Sequence, residues 1–168
     1  VNLMVSPAVH VCFSKLEAIS ADGQSKSFDA AANGYGRGEG GGVLVLKRLR
    51  DAIENNDNIL GIVKGTAINQ DGKSNGLTAP NGLAQEKVIM KALKDAGLKH
   101  SDVDYLEMHG TGTKLGDPIE VKAVVNTYGK DRAKDNPILI GSVKSNIGHL
   151  EAAAGLASII KVLLAFQN

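Results

Sequence analysis

The second half of the chain alternates between helical and strand-like patterns, and this alternation restricts the fold more than any other feature. A helix from an Asn81 cap to about Ala96 is followed by a strand over 103–108, a helix over 118–128, a strand over 138–143 and an apolar final helix. This order predicts parallel strands covered by helices. We therefore expect an α/β fold.

The first half follows a less regular pattern. Ser6 and Pro7 form a typical helix start, and this helix is expected to reach about Leu16. Two apolar runs, over 43–46 and 59–68, have the composition of strands. They predict an antiparallel pair joined by a short helical connection.

Composition excludes several classes of protein. The 168 residues carry 19 Lys and Arg against 18 Asp and Glu, and this near-neutral charge argues against a nucleic-acid-binding protein. The single cysteine excludes an intramolecular disulfide and a cysteine-based zinc site. The most apolar stretch, 150–166, is too short and too charged for a membrane span. Because the sequence also lacks a leader-like start, we expect a cytoplasmic protein with no membrane partner.

Glycine is over-represented, with 20 residues, and it is concentrated in motifs. The run 36–41 matches G-x-G-x-x-G, but it precedes a predicted strand, whereas a dinucleotide site needs these glycines after a strand. The segment 67–74 ends in Gly-Lys-Ser like a phosphate-binding loop, but Ala67 stands where that loop needs its first glycine. Nucleotide binding is therefore only a weak alternative.

Two histidines are the strongest candidates for a functional site. His109 and His149 each lie where a predicted strand leads through a glycine-containing loop toward a helix. In a parallel sheet, ligands bind outside the carboxyl ends of the strands, so both imidazoles are expected in one crevice. Lys144 lies on the same loop as His149 and adds a cation. Neutral imidazoles there could donate N–H bonds to an oxyanion or move a proton.

For other polar residues the structural interpretation is favoured. Asp117 and Glu120 have the spacing of a capping box rather than of an acid–base pair. Arg37 and Glu39 are expected to be buried or half-buried supports in the glycine-rich turn. Cys12 lies in an amphipathic helix and is interpreted as a packed residue rather than a nucleophile.

Four motifs, in order and covering essentially the whole chain, resemble the β-ketoacyl synthase domains of modular type I polyketide synthases. They are the segments Phe28–Gly40, Asn69–Asn81, His109–Glu120 and Lys144–Gly155. The resemblance implies a partial thiolase-like fold, whose complete domain is layered α/β/α/β/α. Residues 1–82 would be the end of the N-terminal half and residues 83–168 the beginning of the C-terminal half, both incomplete.

The resemblance also implies an activity. The family, a class of acyltransferase, catalyses decarboxylative Claisen condensation of an acyl chain with a malonyl-type extender. By analogy, His109 and His149 would assist decarboxylation and stabilise the oxyanion. Lys144 would support this site together with Glu151, and Asn146 would be a further supporting residue.

Substrates and partners follow from the same resemblance. Thr111 and Thr113 would contact the phosphopantetheine arm of an acyl carrier protein, although hydrogen bonding within their own loop is the simpler interpretation. Other polyketide synthase domains and a homodimeric full-length domain are the expected partners. No metal and no cofactor bound by the domain itself is implied.

The chain departs from the family pattern at the nucleophile. The family's cysteine lies in a Thr-Ala-Cys-Ser type motif upstream of the segment seen here, and Cys12 has different neighbours. Family domains are also more than twice as long. We therefore expect a central segment that does not form an acyl-enzyme alone. The alternative is a non-catalytic thiolase-like module that binds a carrier protein or another partner.

Overall fold

The computed structural model describes residues 1–74, 76, 79–130, 132–133 and 135–168. The helices are α1 (Pro7–Lys15), α2 (Leu49–Glu54), α3 (Gly82–Ala96), α4 (Gly116–Thr127), α5 (Lys144–Ile147) and α6 (Ala154–Ala165). The strands are β1 (Tyr105–Glu107) and β2 (Leu139–Gly141). Two single 3₁₀ turns, His100–Asp102 and Glu151–Ala153, precede β1 and α6.

Two helices begin where their capping residues predict. The Ser6 hydroxyl accepts a backbone N–H from the first turn of α1, and Pro7 occupies the first helical position. The Asn81 side chain caps α3 in the same way, and Gly97 ends that helix with a φ of 67°. These local signals therefore position both helices as expected.

The two strands of the second half pair in parallel, as predicted. Tyr105 lies opposite Leu139, and Glu107 opposite Gly141. The carboxyl ends of both strands therefore meet at one edge of the sheet. Each strand has only three residues, so the sheet is shorter than the apolar patterns predict.

The core lies between α3, α4 and the first strand. Its buried members are Leu93, Met108, Val124 and Tyr128. α3 packs along α4, and Leu106 of β1 packs against the cluster that these two helices share. This packing fixes the start of α4 next to the loop that leaves β1, where the candidate site lies.

The two strands predicted in the first half do not form. Along 43–46 and 59–68, no backbone hydrogen bonds to another strand occur within the described residues. Val45 is 92% exposed and Ile68 is 85% exposed. An apolar, β-branched run becomes a strand only where a neighbour pairs with it, and here none does.

A few isolated bridges organise the first half instead. Asn2 pairs with Gly40, Ile19 with Tyr35, and Arg37 with His149. The last of these connects the glycine-rich turn to the candidate site. Within the described residues, no helix combines the length and apolar character needed to cross a bilayer.

Candidate active site

The structure brings the two predicted histidines together. His109 follows β1, and His149 follows α5 at the end of β2. Their ring centroids lie 5.4 Å apart in an edge-to-face arrangement. The Tyr35 ring packs against His149, with 5.2 Å between the two ring centroids. The rule that parallel strands share an edge therefore predicted the placement of both imidazoles correctly.

The hydrogen bond to His149 determines which nitrogen carries its proton. The backbone N–H of Glu151 donates to His149 Nδ1 over 2.8 Å, so Nδ1 is an acceptor and Nε2 bears the hydrogen. Burial, followed by the charge of Lys144 and the presence of His109, lowers the pKa of His149 to about 4. At neutral pH this ring is therefore an uncharged N–H donor.

His109 is held through its backbone. Its N–H donates to Glu120 Oε1 over 2.6 Å, and the N–H of Gly110 donates to Glu120 Oε2 over 2.9 Å. His109 remains exposed, but partial desolvation of its ring and the nearby charge of Lys144 lower its pKa. The negative charges of Glu120 and Asp117 act in the opposite direction without reversing this shift. The second imidazole therefore also favours the neutral form.

Lys144 supplies a buried positive charge. It is 3% exposed, and no carboxylate oxygen within the described part of the chain lies within 4.0 Å of its ammonium group. Burial lowers the pKa of Lys144, while Glu120 and Glu107 act in the opposite direction. Because its charge lowers the pKa of both histidines, Lys144 acts on the site electrostatically.

The expectation of a capping box at α4 is wrong. The N-cap is Leu115, with no side-chain hydrogen bond to the helix. Asp117 is 4% exposed and instead accepts the N–H groups of Phe28 over 2.7 Å and of Gly112 over 3.1 Å. The carboxylates of Asp117 and Glu120 thus hold the loop after β1 rather than the helix's own amides.

Glycines in this region permit close packing within the protein. Gly110 has a φ of 46°, and a Cβ there would lie 2.7 Å from the Ser142 side chain and 2.9 Å from the Phe28 ring. Gly148 has a φ of 75°, and a Cβ there would approach the Gly36 carbonyl oxygen to 3.0 Å. The loop at His109 therefore packs closely against the Ser142 and Phe28 side chains, and the loop at His149 against the Gly36 backbone.

Thr111 and Thr113 bond within their own loop. Their hydroxyl oxygens lie 3.2 Å apart, and Thr113 Oγ1 also accepts the N–H of Gly116 over 3.1 Å. Thr111 is buried. This geometry matches the simpler of the two interpretations, and contact with a phosphopantetheine arm stays a prediction.

The supporting residues lie in different places. The Glu151 carboxylate pairs with Arg37, whose side chain is 4% exposed, rather than with Lys144. Asn146 is exposed and lines an apolar groove of about 430 Å³ together with Leu150.

Arg37 is the buried support that the sequence predicts, because its side chain is 4% exposed. Glu39, in contrast, is exposed, contrary to expectation, and accepts the Met4 N–H.

Cys12 is not packed as expected. It is a free thiol exposed on α1. No three His, Cys, Asp or Glu side chains are grouped to hold a metal ion in the part of the chain that the structure describes.

Sequence reasoning missed Glu107, the last residue of β1. Its carboxylate is 5% exposed, accepts the Val143 N–H and the Tyr105 hydroxyl, and lies 2.8 Å from Lys161 Nζ. Burial opposes its ionisation, but the hydrogen bonds from Lys161, Tyr105 and the backbone lower its pKa. The available signal was a glutamate between Leu106 and Met108 near the end of the predicted strand 103–108.

Two family models match the chain. The model described as "Beta-ketoacyl synthase, C-terminal domain" matches residues 60–168, and "Beta-ketoacyl synthase, N-terminal domain" matches residues 1–52.

Curated relatives are large polyketide synthases. The chain is 55% identical over 168 residues to the phenolphthiocerol synthesis polyketide synthase type I Pks15/1 of Mycobacterium marinum, covering 100% of the chain and 8% of that protein. It is 53% identical over 166 residues to erythronolide synthase EryA2 of Saccharopolyspora erythraea, covering 99% of the chain and 5% of that protein. The chain thus spans less than a tenth of these relatives.

Solved structures show the same fold. The ketosynthase from module 6 of the bacillaene synthase of Bacillus subtilis matches with a TM-score of 0.93 and 47% identity, over 98% of this chain and 29% of that one. The oxazolomycin ketosynthase domain OzmH KS7 of Streptomyces albus matches with a TM-score of 0.94 and 42% identity, over 99% and 29%. The expected partial thiolase-like α/β fold is therefore confirmed.

Proposed function

Because the chain belongs to the β-ketoacyl synthase family, we propose that it carries the histidine part of a site for decarboxylative Claisen condensation in polyketide biosynthesis. One observation carries this proposal. Two imidazoles, both with lowered pKa, lie 5.4 Å apart beside a buried lysine at the carboxyl ends of two parallel strands.

The proposed chemistry develops negative charge on one oxygen. In a malonyl-type thioester, the bond to the carboxylate breaks, CO2 leaves, and the electron pair moves onto the thioester oxygen as an enolate. Hydrogen bonds from His109 and His149 would stabilise that oxygen. The enolate carbon then attacks an acyl thioester carbonyl and a thiolate leaves. Removing a donor to a developing oxyanion costs about 10²–10³-fold in rate in known enzymes.

The electrostatics suit this role. A pKa of about 4 keeps the His149 Nε2–H as a neutral donor at physiological pH, so it needs no prior protonation. The positive charge of Lys144 favours negative charge nearby while keeping both rings neutral. We assign Lys144 to electrostatic support, because the charge itself acts on both imidazoles.

The proposed substrates are thioesters on the phosphopantetheine of an acyl carrier protein. Thr111 and Thr113, in the loop after His109, are the proposed contacts for that arm. The similarity to a type I polyketide synthase and to an erythronolide synthase supports the proposal of a carrier protein and other synthase domains as partners. A homodimer of the complete domain is proposed from the resemblance alone, as is the division of the chain at residues 82 and 83.

Condensation also needs a nucleophilic thiolate to hold the acyl chain. The one cysteine in the sequence, Cys12, is exposed on α1 and does not lie in the family's cysteine motif. We therefore propose that these 168 residues serve decarboxylation and oxyanion stabilisation, and that they form no acyl-enzyme by themselves.

A segment exchange tests the proposal. The matching segment of the bacillaene module 6 ketosynthase is replaced by this chain, which has the same fold with 47% identity. The chimera is assayed for CO2 release from a malonyl thioester and for condensation. We expect an active chimera in which His109→Ala or His149→Ala lowers decarboxylation about 10²-fold or more.

His100→Ala is the matched control, because His100 lies in the 3₁₀ turn before β1, at the opposite end of that strand from His109. It should leave both rates unchanged. A folded, active chimera that tolerates both His109→Ala and His149→Ala would contradict the proposal. A folded chimera without activity would instead favour a non-catalytic binding module.

A further inference from the structure

Arg37 and Glu151 form an ion pair next to the site without touching the reacting region. Arg37 Nε lies 2.6 Å from Glu151 Oε1, and Arg37 Nη2 lies 3.1 Å from Oε2. The two residues are 114 positions apart in the chain. The arginine side chain is 4% exposed and the glutamate side chain 26% exposed, so solvent screens the pair weakly. Two parallel bonds fix the carboxylate in both direction and position.

The backbone of Glu151 adopts an unfavourable conformation. Its φ is 46°, in the left-handed region that side chains other than glycine rarely occupy. Such a residue persists only where its surroundings hold it in place. The bidentate contact with Arg37 is the interaction of its side chain that can do so.

Glu151, the residue with the strained backbone, donates the hydrogen bond that fixes the tautomer of His149. Its N–H reaches His149 Nδ1 over 2.8 Å. The other side of the same loop is fixed by the segment around Arg37, because Gly38 N–H donates to the His149 carbonyl and His149 N–H donates to the Gly36 carbonyl. The guanidinium also lies 5.6 Å from the centre of the Phe13 ring, which further restricts it.

We propose that the Arg37–Glu151 pair is a positioning device that holds the Glu151 amide against His149 and thereby fixes the imidazole with its proton on Nε2. Arg37 and Glu151 are positioning residues, since they act through the amide and not on substrate. The catalytic value of the device rests on the proposed function, but the proton position on His149 does not.

The test measures the tautomer of His149 directly. Long-range ¹H–¹⁵N spectra of the ¹⁵N-histidine-labelled chain at pH 7 distinguish protonated from unprotonated ring nitrogens. The His149 signals are assigned by their loss in His149→Gln. We expect a single Nε2–H form in the unaltered protein. Arg37→Gln and Glu151→Gln should each raise the Nδ1–H population at least about tenfold, and the double variant should do no more than either single one.

Lys47→Gln is the matched control, because it breaks an exposed ion pair with Asp57. It should leave the His149 tautomer unchanged. The His109 signals serve as an internal check that each variant is folded. If both single variants are folded and keep the wild-type tautomer, the proposal is wrong.

A second measurement needs no variant. A scalar coupling across the hydrogen bond from the Glu151 amide nitrogen to His149 Nδ1 should be detectable in the unaltered protein. Its absence, in a chain whose His149 signals are resolved, would overturn the proposal even if the variants fail to fold. Neither measurement uses activity, so a failed chimera and a failed positioning device give different results.

Discussion

Single residues in this site owe their chemistry to their neighbours rather than to their identity. His149 is an N–H donor because a backbone amide occupies Nδ1 and because burial and Lys144 oppose protonation. His109 has the same charge state for related reasons, while its backbone is fixed by Glu120.

The lowered pKa of His149 predicts a pH dependence of stability. In the unfolded chain this imidazole has a pKa near 6.5, but in the folded chain its pKa is about 4. Between these values the unfolded state binds more protons. The free energy of unfolding should therefore decline as the pH falls from about 6.5 to about 4, and this loss should be complete below that range.

Urea denaturation of the chain at several pH values measures this dependence. His149→Gln is the comparison, because it removes the titrating group, and its stability should vary less over the same window. A variant curve parallel to that of the unaltered protein would show that His149 does not contribute. NMR titration of the ring provides the pKa itself.

The position of a single residue could be predicted from the sequence where it follows from the strand before it. It could not be predicted where it depends on a partner far away in the chain. The two histidines follow apolar runs, so their meeting could be predicted from parallel pairing. The resemblance indicated Glu151 only as a supporting residue, and its ion-pair partner, Arg37, lies 114 positions away. No local spacing carries that information.

At the scale of elements, the start of α4 is the anchor of the site. Asp117 accepts N–H bonds from Gly112 in the loop after β1 and from Phe28 in the first half. One buried carboxylate thereby joins two distant segments to one helix. A local motif search finds Asp117 and Glu120 at the spacing of a capping box. It does not reveal that their carboxylates accept N–H groups from outside the helix.

This arrangement predicts the effect of Asp117→Ala. The substitution leaves several buried amides without an acceptor, which costs about 1–3 kcal/mol. Hydrogen exchange at Gly112 and Phe28 should become roughly tenfold faster or more, because about 1.4 kcal/mol corresponds to a factor of ten. Amide exchange followed by NMR measures both positions in one experiment.

Asp95→Ala is a suitable control, since Asp95 also accepts a backbone N–H, from Thr66, but at an exposed position. It should leave exchange at Gly112 unaltered. Unchanged protection of both Gly112 and Phe28 in Asp117→Ala would contradict the anchoring role.

Strands were predictable in the second half and not in the first, whereas helix α1 of the first half forms as its Ser6–Pro7 start predicts. α3, with its Asn81 cap and its Gly97 end, and the parallel pair β1–β2 follow from local signals. The runs 43–46 and 59–68 carry equally strong strand patterns but remain unpaired among the residues that the structure describes. Strand formation depends on a neighbour, so an apolar pattern indicates the ability to pair and not its occurrence.

At the scale of the whole molecule, the unpaired runs leave a large apolar surface. Gly42 and Gly61 lie against Leu156 and Leu163 of α6, so both segments have one covered side. Their other side is open, with Val45 92% exposed. Unpaired extended backbone beside exposed apolar side chains favours association with another chain.

We therefore predict that the 168-residue chain self-associates as its concentration rises. Sedimentation velocity over a range of concentrations measures this association. Val45→Lys and Ile62→Lys should shift the distribution toward monomer, because a charge on an open edge opposes pairing. Asn58→Lys adds the same charge at an exposed polar position and should have little effect. A concentration-independent monomer would show that the open surface is satisfied within the chain.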